Sequence, residues 1–309
     1  MEYTVLKNSD LKVSRFCMGG CPMGGYGWGE TKEQDFIDSI KEALESGVNF
    51  FDTADTYGLG QSERTLAKGI GARRQDVVIQ SKFGVKAGGG KTLYDNSPSH
   101  IRASLEGTLK RLGTDYIDIY VIHYRDTATP VEEVIGTLGE LRGEGKIRYF
   151  GLSNVTEEEY AEILPYKKCF VNFQEEYSLA CRKNEEKIRQ LGKDFTPMTW
   201  GSLGQGILTG KYGRDARFGA SDRRSRDAYV NFHGEKLEKN LNIVEKLREI
   251  SSMHGSSVAS CAIRYILDAL PGSVVIAGVK RPQQLRANLE AMEYRLSKEE
   301  MEMLNEVSI

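Results

Sequence analysis

The run Phe50-Phe51-Asp52-Thr53-Ala54-Asp55-Thr56-Tyr57-Gly58 decides how the chain is read. The apolar stretch Val48 to Phe51 has the length of a buried strand and ends on an acid, Asp52. A tyrosine, Tyr57, follows in a glycine-ended turn. Val77-Val78-Ile79-Gln80-Ser81-Lys82 repeats the pattern and ends on a lysine. Ile117-Asp118-Ile119-Tyr120-Val121-Ile122-His123 repeats it again and ends on a histidine. The carboxyl ends of strands carry the chemistry in parallel α/β sheets and barrels. Asp52, Tyr57, Lys82 and His123 are therefore read as one candidate site. Taken singly each has a plainer reading, since a strand-end Asp–Lys pair is commonly structural and a lone histidine is commonly a satisfied core residue.

Upstream, Tyr3-Thr4-Val5 and Leu11-Lys12-Val13 flank the turn residues Asn8-Ser9-Asp10, which predicts a hairpin. Arg15-Phe16-Cys17-Met18 reads as the first barrel strand, closed by Gly19-Gly20. Thr31 and Gln34 have capping-box spacing, followed by the stripe Phe36, Ile40 and Leu44 and a terminating Gly47. Downstream, Leu66 and Ile70 mark a helix before the Lys82 strand. Ser97-Pro98 caps another, with Ile101, Leu105, Leu109 and Leu112 on one face before Gly113. The pattern continues with a helix over 131–144, a strand over 147–152, a helix from Thr156 to near Pro165, and a strand over 170–174. A helix over 184–191 and a strand over 195–200 follow, then helices over 236–253 and 257–270, a strand over 273–277, and helices over 282–292 and after Ser297. Eight strands alternating with helices favour a closed α/β barrel over an open doubly wound sheet. No linker or composition shift divides residues 1–309, so one (β/α)8 TIM-barrel domain is expected, with an N-terminal β-hairpin and extra C-terminal helices. Two connections are unusually long, 84–96 with Gly88-Gly89-Gly90, and 213–234. Both leave the side of the barrel where lids belong.

The chain is 39% hydrophobic and 28% charged with a net charge of −2, an ordinary soluble balance that argues against nucleic-acid or membrane-surface partners. No run approaches a membrane span, and Met1-Glu2-Tyr3-Thr4-Val5 does not open like a signal peptide. The five cysteines, 17, 21, 169, 181 and 261, lack metal-type pairing. They are read as reduced thiols of a cytoplasmic protein without a metal site.

The ordered set Asp52, Tyr57, Lys82 and His123 resembles the tetrad of the aldo-keto reductases, (β/α)8-barrel oxidoreductases that use NAD(P)H. Gly151-Leu152-Ser153-Asn154 is similar to the family's G-x-S-N, Gln174 to its cofactor-amide glutamine, and the segment Leu203 to Tyr212 to another family segment. Gln284 and Asn288 match a last one, so the resemblance spans nearly the whole chain. It implies that Tyr57 is the general acid, that Lys82 and Asp52 tune it, Lys82 by lowering its pKa, and that His123 orients a small-molecule carbonyl or alcohol substrate. The N-terminal hairpin would close the bottom of the barrel.

For the cofactor, no G-x-G-x-x-G opens a helix after a strand. Gly90-Lys91-Thr92 fails as a P-loop because Val85 stands where its first glycine belongs. The resemblance instead implies that Ser153, Asn154 and Gln174 hold the nicotinamide carboxamide and that Trp200 stacks on its ring, although Ser153-Asn154 alone would read as a turn and helix cap. Gly20, Asp52, Gly201, Leu203, Gly206, Leu208 and Gly278 complete the expected cofactor contacts, with Gly201-Ser202-Leu203 departing from the family's Ser-Pro-Leu. Lys280 and Arg281, beside Gln284 and Asn288, stand where the family meets the adenosine 2′-phosphate, and cations there favour NADP(H) over NAD(H). Two other classes compete: a cofactor-sensing regulatory barrel like the potassium-channel β subunits, and an aldolase or hydrolase using Lys82 as a Schiff-base nucleophile. The sequence leaves the oligomeric state open.

Overall fold

The computed structural model describes residues 1–88 and 91–308. The N-terminal strands β1 (Tyr3–Val5) and β2 (Lys12–Ser14) pair antiparallel. Strand β3 (Phe16–Gly19) starts the barrel and leads through the segment 20–32 into α1 (Glu33–Glu45), β4 (Phe50–Asp52) and α2 (Gln61–Ile70). Strand β5 (Val78–Phe83) is followed by a second hairpin, β6 (Val85–Gly88) and β7 (Lys91–Tyr94), then by α3 (Pro98–Leu112), β8 (Ile117–Ile122) and α4 (Val131–Gly143). Next come β9 (Ile147–Ser153), α5 (Glu157–Ile163), β10 (Phe170–Glu176), α6 (Glu185–Leu191) and β11 (Thr196–Trp200). A long segment with short 3-10 turns leads to α7 (Gly234–Met253), α8 (Val258–Ala269), β12 (Val274–Gly278), α9 (Pro282–Leu289) and α10 (Lys298–Ser308). Strands β10-β11-β12-β3-β4-β5-β8-β9 close in that order, every neighbouring pair parallel. This is the expected (β/α)8 barrel. Among the described residues no helix is long and apolar enough to cross a membrane.

Side chains alternate across each strand, which explains how one strand serves core and site together. Outward residues such as Phe16, Phe51, Ile79, Tyr120, Phe150 and Phe173 bury against the helices. Each large apolar side chain taken from water contributes roughly 1.5–3 kcal/mol. Inward residues climb from apolar to polar: Phe50 then Asp52, Val78 then Gln80 and Lys82, Ile119 then Val121 and His123, Met198 then Trp200. The apolar lower layer joins Leu6, Leu11 and Val13 of the N-terminal hairpin, which therefore plugs the barrel floor.

Two local expectations are corrected. Thr31 does not cap α1: its N-cap is Lys32, without a side-chain cap bond, and Gln34 turns along the helix to Asp38. Glu33 instead receives Gln61, Thr65 and Lys68 of α2, so the acid ties two helices together. The connection 84–96 is not an open loop. Val85 pairs with Tyr94 and Gly88 with Lys91, although Gly89 and Gly90 lie outside the described residues. Asn96 fastens this hairpin to the turn after β8, donating to the Tyr124 carbonyl at 3.0 Å and accepting from the Asp126 N–H at 2.9 Å.

Candidate active site

Asp52 ends β4, and its carboxylate is 4% exposed. Lys82, next to last in β5, is 1% exposed and reaches both carboxylate oxygens at 2.8 and 2.7 Å. The same ammonium donates to the Thr53 carbonyl at 2.9 Å and to Tyr57 Oη at 3.2 Å. Asp52 Oδ2 also accepts from Gln80 at 2.9 Å and Gln174 at 3.0 Å. Gln80 is in turn bonded to Asn172. A buried ion pair of this kind adds little net stability because desolvation opposes its attraction. Its place at the carboxyl end of the barrel makes it a candidate for chemistry.

Tyr57 is placed by a tight turn in which its N–H donates to the Ala54 carbonyl and its own carbonyl accepts from Ser62. Gly58 has φ +61°, and a Cβ there would lie 2.1 Å from the Gly24 carbonyl oxygen. Only glycine lets the tyrosine turn pack this closely on the segment after β3. Burial, and then the Asp52 carboxylate, push the Tyr57 phenol well above its ordinary pKa. Burial is the largest influence on the phenol and holds it protonated, with the Lys82 ammonium 3.2 Å from its oxygen.

His123 follows β8 and meets Tyr57 edge-on, ring centroids 6.1 Å apart. Burial and then the Lys82 charge drive its pKa well below the ordinary value, so the imidazole is neutral. Its Nδ1 has no hydrogen-bond partner. Tyr124 stacks on it at 5.1 Å, and Tyr94 of the hairpin stacks on Tyr124 at 5.0 Å. Ser153 and Asn154 sit at the end of β9, and Asn154, at φ +55°, donates to the Ser153 hydroxyl and to the His123 carbonyl.

These groups open into one cleft of about 680 Å³ at the carboxyl end of the barrel. Asp52, Tyr57, Lys82 and His123 line it together with Ser153, Asn154, Gln174, Trp200, Gly201, Leu203, Gly206, Gly278, Lys280, Arg281, Gln284 and Asn288. Gly20 and Leu208 stand apart from this wall. Gly20 lies behind it, its N–H donating to the Asp52 carbonyl and its carbonyl accepting from Ser62. Leu208 is buried in the core, where it anchors the 3-10 turn that presents Leu203 and Gly206. Both support the site from beneath. Lys280 is half-buried and donates to the Trp28 carbonyl at 2.6 Å, while Arg281 is 62% exposed with Asp35 at 3.8 Å. Wall residues that the sequence reading did not assign to the site include Cys21, Trp28, Tyr124 and Arg223. Tyr124, adjacent to His123, had a positional signal; Trp28, inside the glycine-rich 24–29 segment, had none.

The segment 213–234 crosses back over this cleft to the segment after β3. Arg223 N–H donates to the Gly27 carbonyl, Tyr229 packs edge-on against Trp28, and Arg226 donates to Tyr26 Oη. Its base is a small core of its own, with Arg224 held by Asp222 and packed over Tyr212, Phe218 and Phe232.

A parallel eight-stranded barrel with a buried Asp–Lys–Tyr chain at its carboxyl end defines a class of oxidoreductase barrels, and comparison with known proteins agrees. The family model described as the aldo/keto reductase family matches residues 15–309. The chain is 32% identical to the aldo-keto reductase YhdN of Bacillus subtilis (strain 168), covering 99% of this chain and 93% of that one. It is 31% identical to the NADH-specific methylglyoxal reductase of Escherichia coli (strain K12), covering 100% and 98%. The structure of the glycerol dehydrogenase AKR11B4 from Gluconobacter oxydans superposes with a TM-score of 0.88 at 28% identity, covering 99% of this chain and 94% of that one. The chain belongs to the aldo/keto reductase family, whose members are oxidoreductases that use nicotinamide cofactors.

Proposed function

We propose that the protein is an NADP(H)-dependent reductase of aldehyde, ketone or sugar-like carbonyls, working in reverse on the alcohol. The observation that carries this reading is the buried chain Asp52–Lys82–Tyr57 at the floor of a cleft shared with His123.

The cleft suits a nicotinamide nucleotide. Trp200 Nε1 and Asn288 Nδ2 are buried there without hydrogen-bond partners, a cost that a polar ligand relieves. Gln174 donates through Nε2 to Asp52, which leaves Oε1 to accept from a carboxamide. Ser153 and Asn154 would complete that pocket, Trp200 would stack on the ring, and Lys280, Arg281, Gln284 and Asn288 would take the adenosine end. When bound, the cofactor supplies the hydride.

The remaining task is a proton for the carbonyl oxygen as it becomes an alcohol oxygen. Lys82 donates to the phenol oxygen, so the phenol's own hydrogen is directed elsewhere and is available to the substrate. As Tyr57 gives up that proton, the adjacent ammonium stabilises the phenolate, and Asp52 keeps the ammonium in place. Neutral His123 offers a ring N–H that orients the substrate oxygen without competing as an acid. The four hydrogen bonds on Lys82 Nζ disfavour a Schiff-base role, which needs a free amine.

Exposed Arg281, with only a distant acid beside it, supports NADP(H) over NAD(H) in this chain, whereas one relative is named as NADH-specific. The names of the relatives, a methylglyoxal reductase and a glycerol dehydrogenase, put small oxygen-rich carbonyls first in a substrate panel. Oxidation of NADPH on such a panel tests the reading. Tight NADPH binding without turnover of any carbonyl would leave the regulatory, cofactor-sensing barrel in its place.

A further inference from the structure

We propose that the substrate carries an anionic group, a carboxylate or phosphate ester, close to its carbonyl, and that Arg223 recognises it; this rests on the carbonyl-reductase reading above. The only carboxylate on the described cleft wall is Asp52, and Lys82 already occupies it. The wall's other cations fall into two groups. Lys211, Arg224, Lys280 and Arg281 stand on the segments following β11 and β12, where the nucleotide would run, and Arg224 is neutralised by Asp222. Arg223 instead reaches across to the segment after β3, its guanidinium 5.1 Å from the ring centre of Tyr26 and 6.0 Å from that of Trp28. Its charge is felt at the Tyr57 phenol and the Cys21 thiol, pulling both pKa values down against burial. The cation therefore faces the end of the cleft where the proton is delivered.

Arg223 meets aromatic rings but no carboxylate among the described residues, and its Nε is buried without a hydrogen-bond partner. Trp28 Nε1 beside it is also buried, with only the Cys21 thiol near enough to interact. Leaving such donors unmatched costs free energy that an anion would recover. The fold also holds the side chain in advance. The Arg223 N–H donates to the Gly27 carbonyl at 3.0 Å. Its stem lies flat on Gly27, where a Cβ would come within 2.5 Å of Arg223 Cγ, and Gly27 sits at φ +79°. A guanidinium placed this way loses little freedom on binding, and its planar fork matches a carboxylate or a phosphate. The other anion that could reach it is the cofactor pyrophosphate, and the test separates the two.

Probe pairs differ by one anionic group: butanal against 4-oxobutanoate, and glyceraldehyde against glyceraldehyde 3-phosphate, each reduced with NADPH by the wild type, Arg223→Met and Arg223→Lys. Met keeps the stem over Gly27 without the charge. The wild type is expected to prefer the anionic member of each pair. The anionic-to-neutral ratio of kcat/KM should fall roughly 10- to 100-fold in Arg223→Met, the span of a charge-assisted hydrogen bond, and recover in part in Arg223→Lys. An unchanged ratio overturns the proposal. So does a loss of NADPH affinity in Arg223→Met without a change in ratio, which would assign the residue to the pyrophosphate. If the wild type reduces none of the four probes, the reductase reading fails on its own. Calorimetric titration of 4-oxobutanoate into the protein with NADP+ then decides on Arg223: weaker binding in both variants supports it, and equal binding overturns it.

Discussion

Lys82 Nζ donates to Tyr57 Oη across 3.2 Å while holding both oxygens of Asp52 at 2.8 and 2.7 Å. The phenol is thus an acceptor on its inner side and a donor toward the cleft. Under the proposed reductase function, burial would keep it protonated until substrate arrives, and the ammonium would stabilise the phenolate once the proton has gone.

Tyr57→Phe keeps the ring and removes the transferable proton. Carbonyl reduction should fall by roughly 10²–10⁴-fold, the usual contribution of a general acid, with little change in NADPH affinity or melting temperature. Lys82→Met should differ in kind. It leaves Asp52 buried beside an apolar chain, and breaking a buried pair costs about 3–5 kcal/mol, so activity and thermal stability should fall together. Stopped-flow reduction and thermal melts on both variants separate proton donor from positioning cation. A Tyr57→Phe enzyme with near-wild-type turnover would remove the phenol from its role.

The strand ends were legible because alternation along a parallel barrel leaves a simple trace: an apolar run that ends on a polar residue. Asp52, Lys82 and His123 carry that trace, and Tyr57 follows from the turn after Phe50–Asp52. Gln80 and Asn172 were not singled out, since a polar residue inside a strand has no local signature of inward orientation until the register Asp52↔Gln80 is known. The hairpin Val85–Tyr94 was hidden because triple glycine weakens the strand pattern. The clasp between Trp28 and Tyr229 joins residues about two hundred positions apart, and single-sequence periodicity reports only local structure.

Lys280 and Arg281 should not act alike. Arg281 is exposed and faces solvent beside α1, so Arg281→Ala should weaken NADPH relative to NADH by about tenfold, as expected for one charge-assisted contact. Lys280 is tied to the Trp28 carbonyl and its pKa is lowered by burial. Lys280→Met should therefore loosen the segment after β3 and weaken both cofactors. Fluorescence titration with NADPH and NADH measures both constants, and equal weakening of the two by Arg281→Ala would place the 2′-phosphate elsewhere.

The segment 213–234 has an exposed approach around Arg217 and a far end fastened through Arg223, Arg226 and Tyr229. NADPH beneath the fastened end should protect it, because a bound ligand favours the closed population by mass action. Trypsin cleavage after Arg223 and Arg226 is expected to slow at saturating cofactor, while cleavage after Arg217 continues. Equal rates at all three sites, with and without NADPH, would make the segment a surface loop with no share in cofactor retention.

Asp55, two residues before Tyr57, is a carboxyl group with an unpartnered Oδ1. Burial, and then the charge of Glu63, raise its pKa to about 7 from 3.8. The folded state therefore binds a proton that the unfolded chain releases between those values. Stability falls as pH rises through that window, because the unfolded state holds fewer protons there. The effect is fully expressed above the folded pKa and is on the order of a few kcal/mol at most. Asp55→Asn keeps the shape and removes the ionisation. Its melting temperature should match wild type near pH 4 and exceed it increasingly toward pH 8. The neighbouring Glu63 is held by Ser81 and Arg111 and keeps its own charge compensation in the variant. Parallel melting curves for the two proteins across pH 4–8 would show that the Asp55 carboxyl ionises alike in the folded and unfolded chain and that its burial does not couple folding to pH.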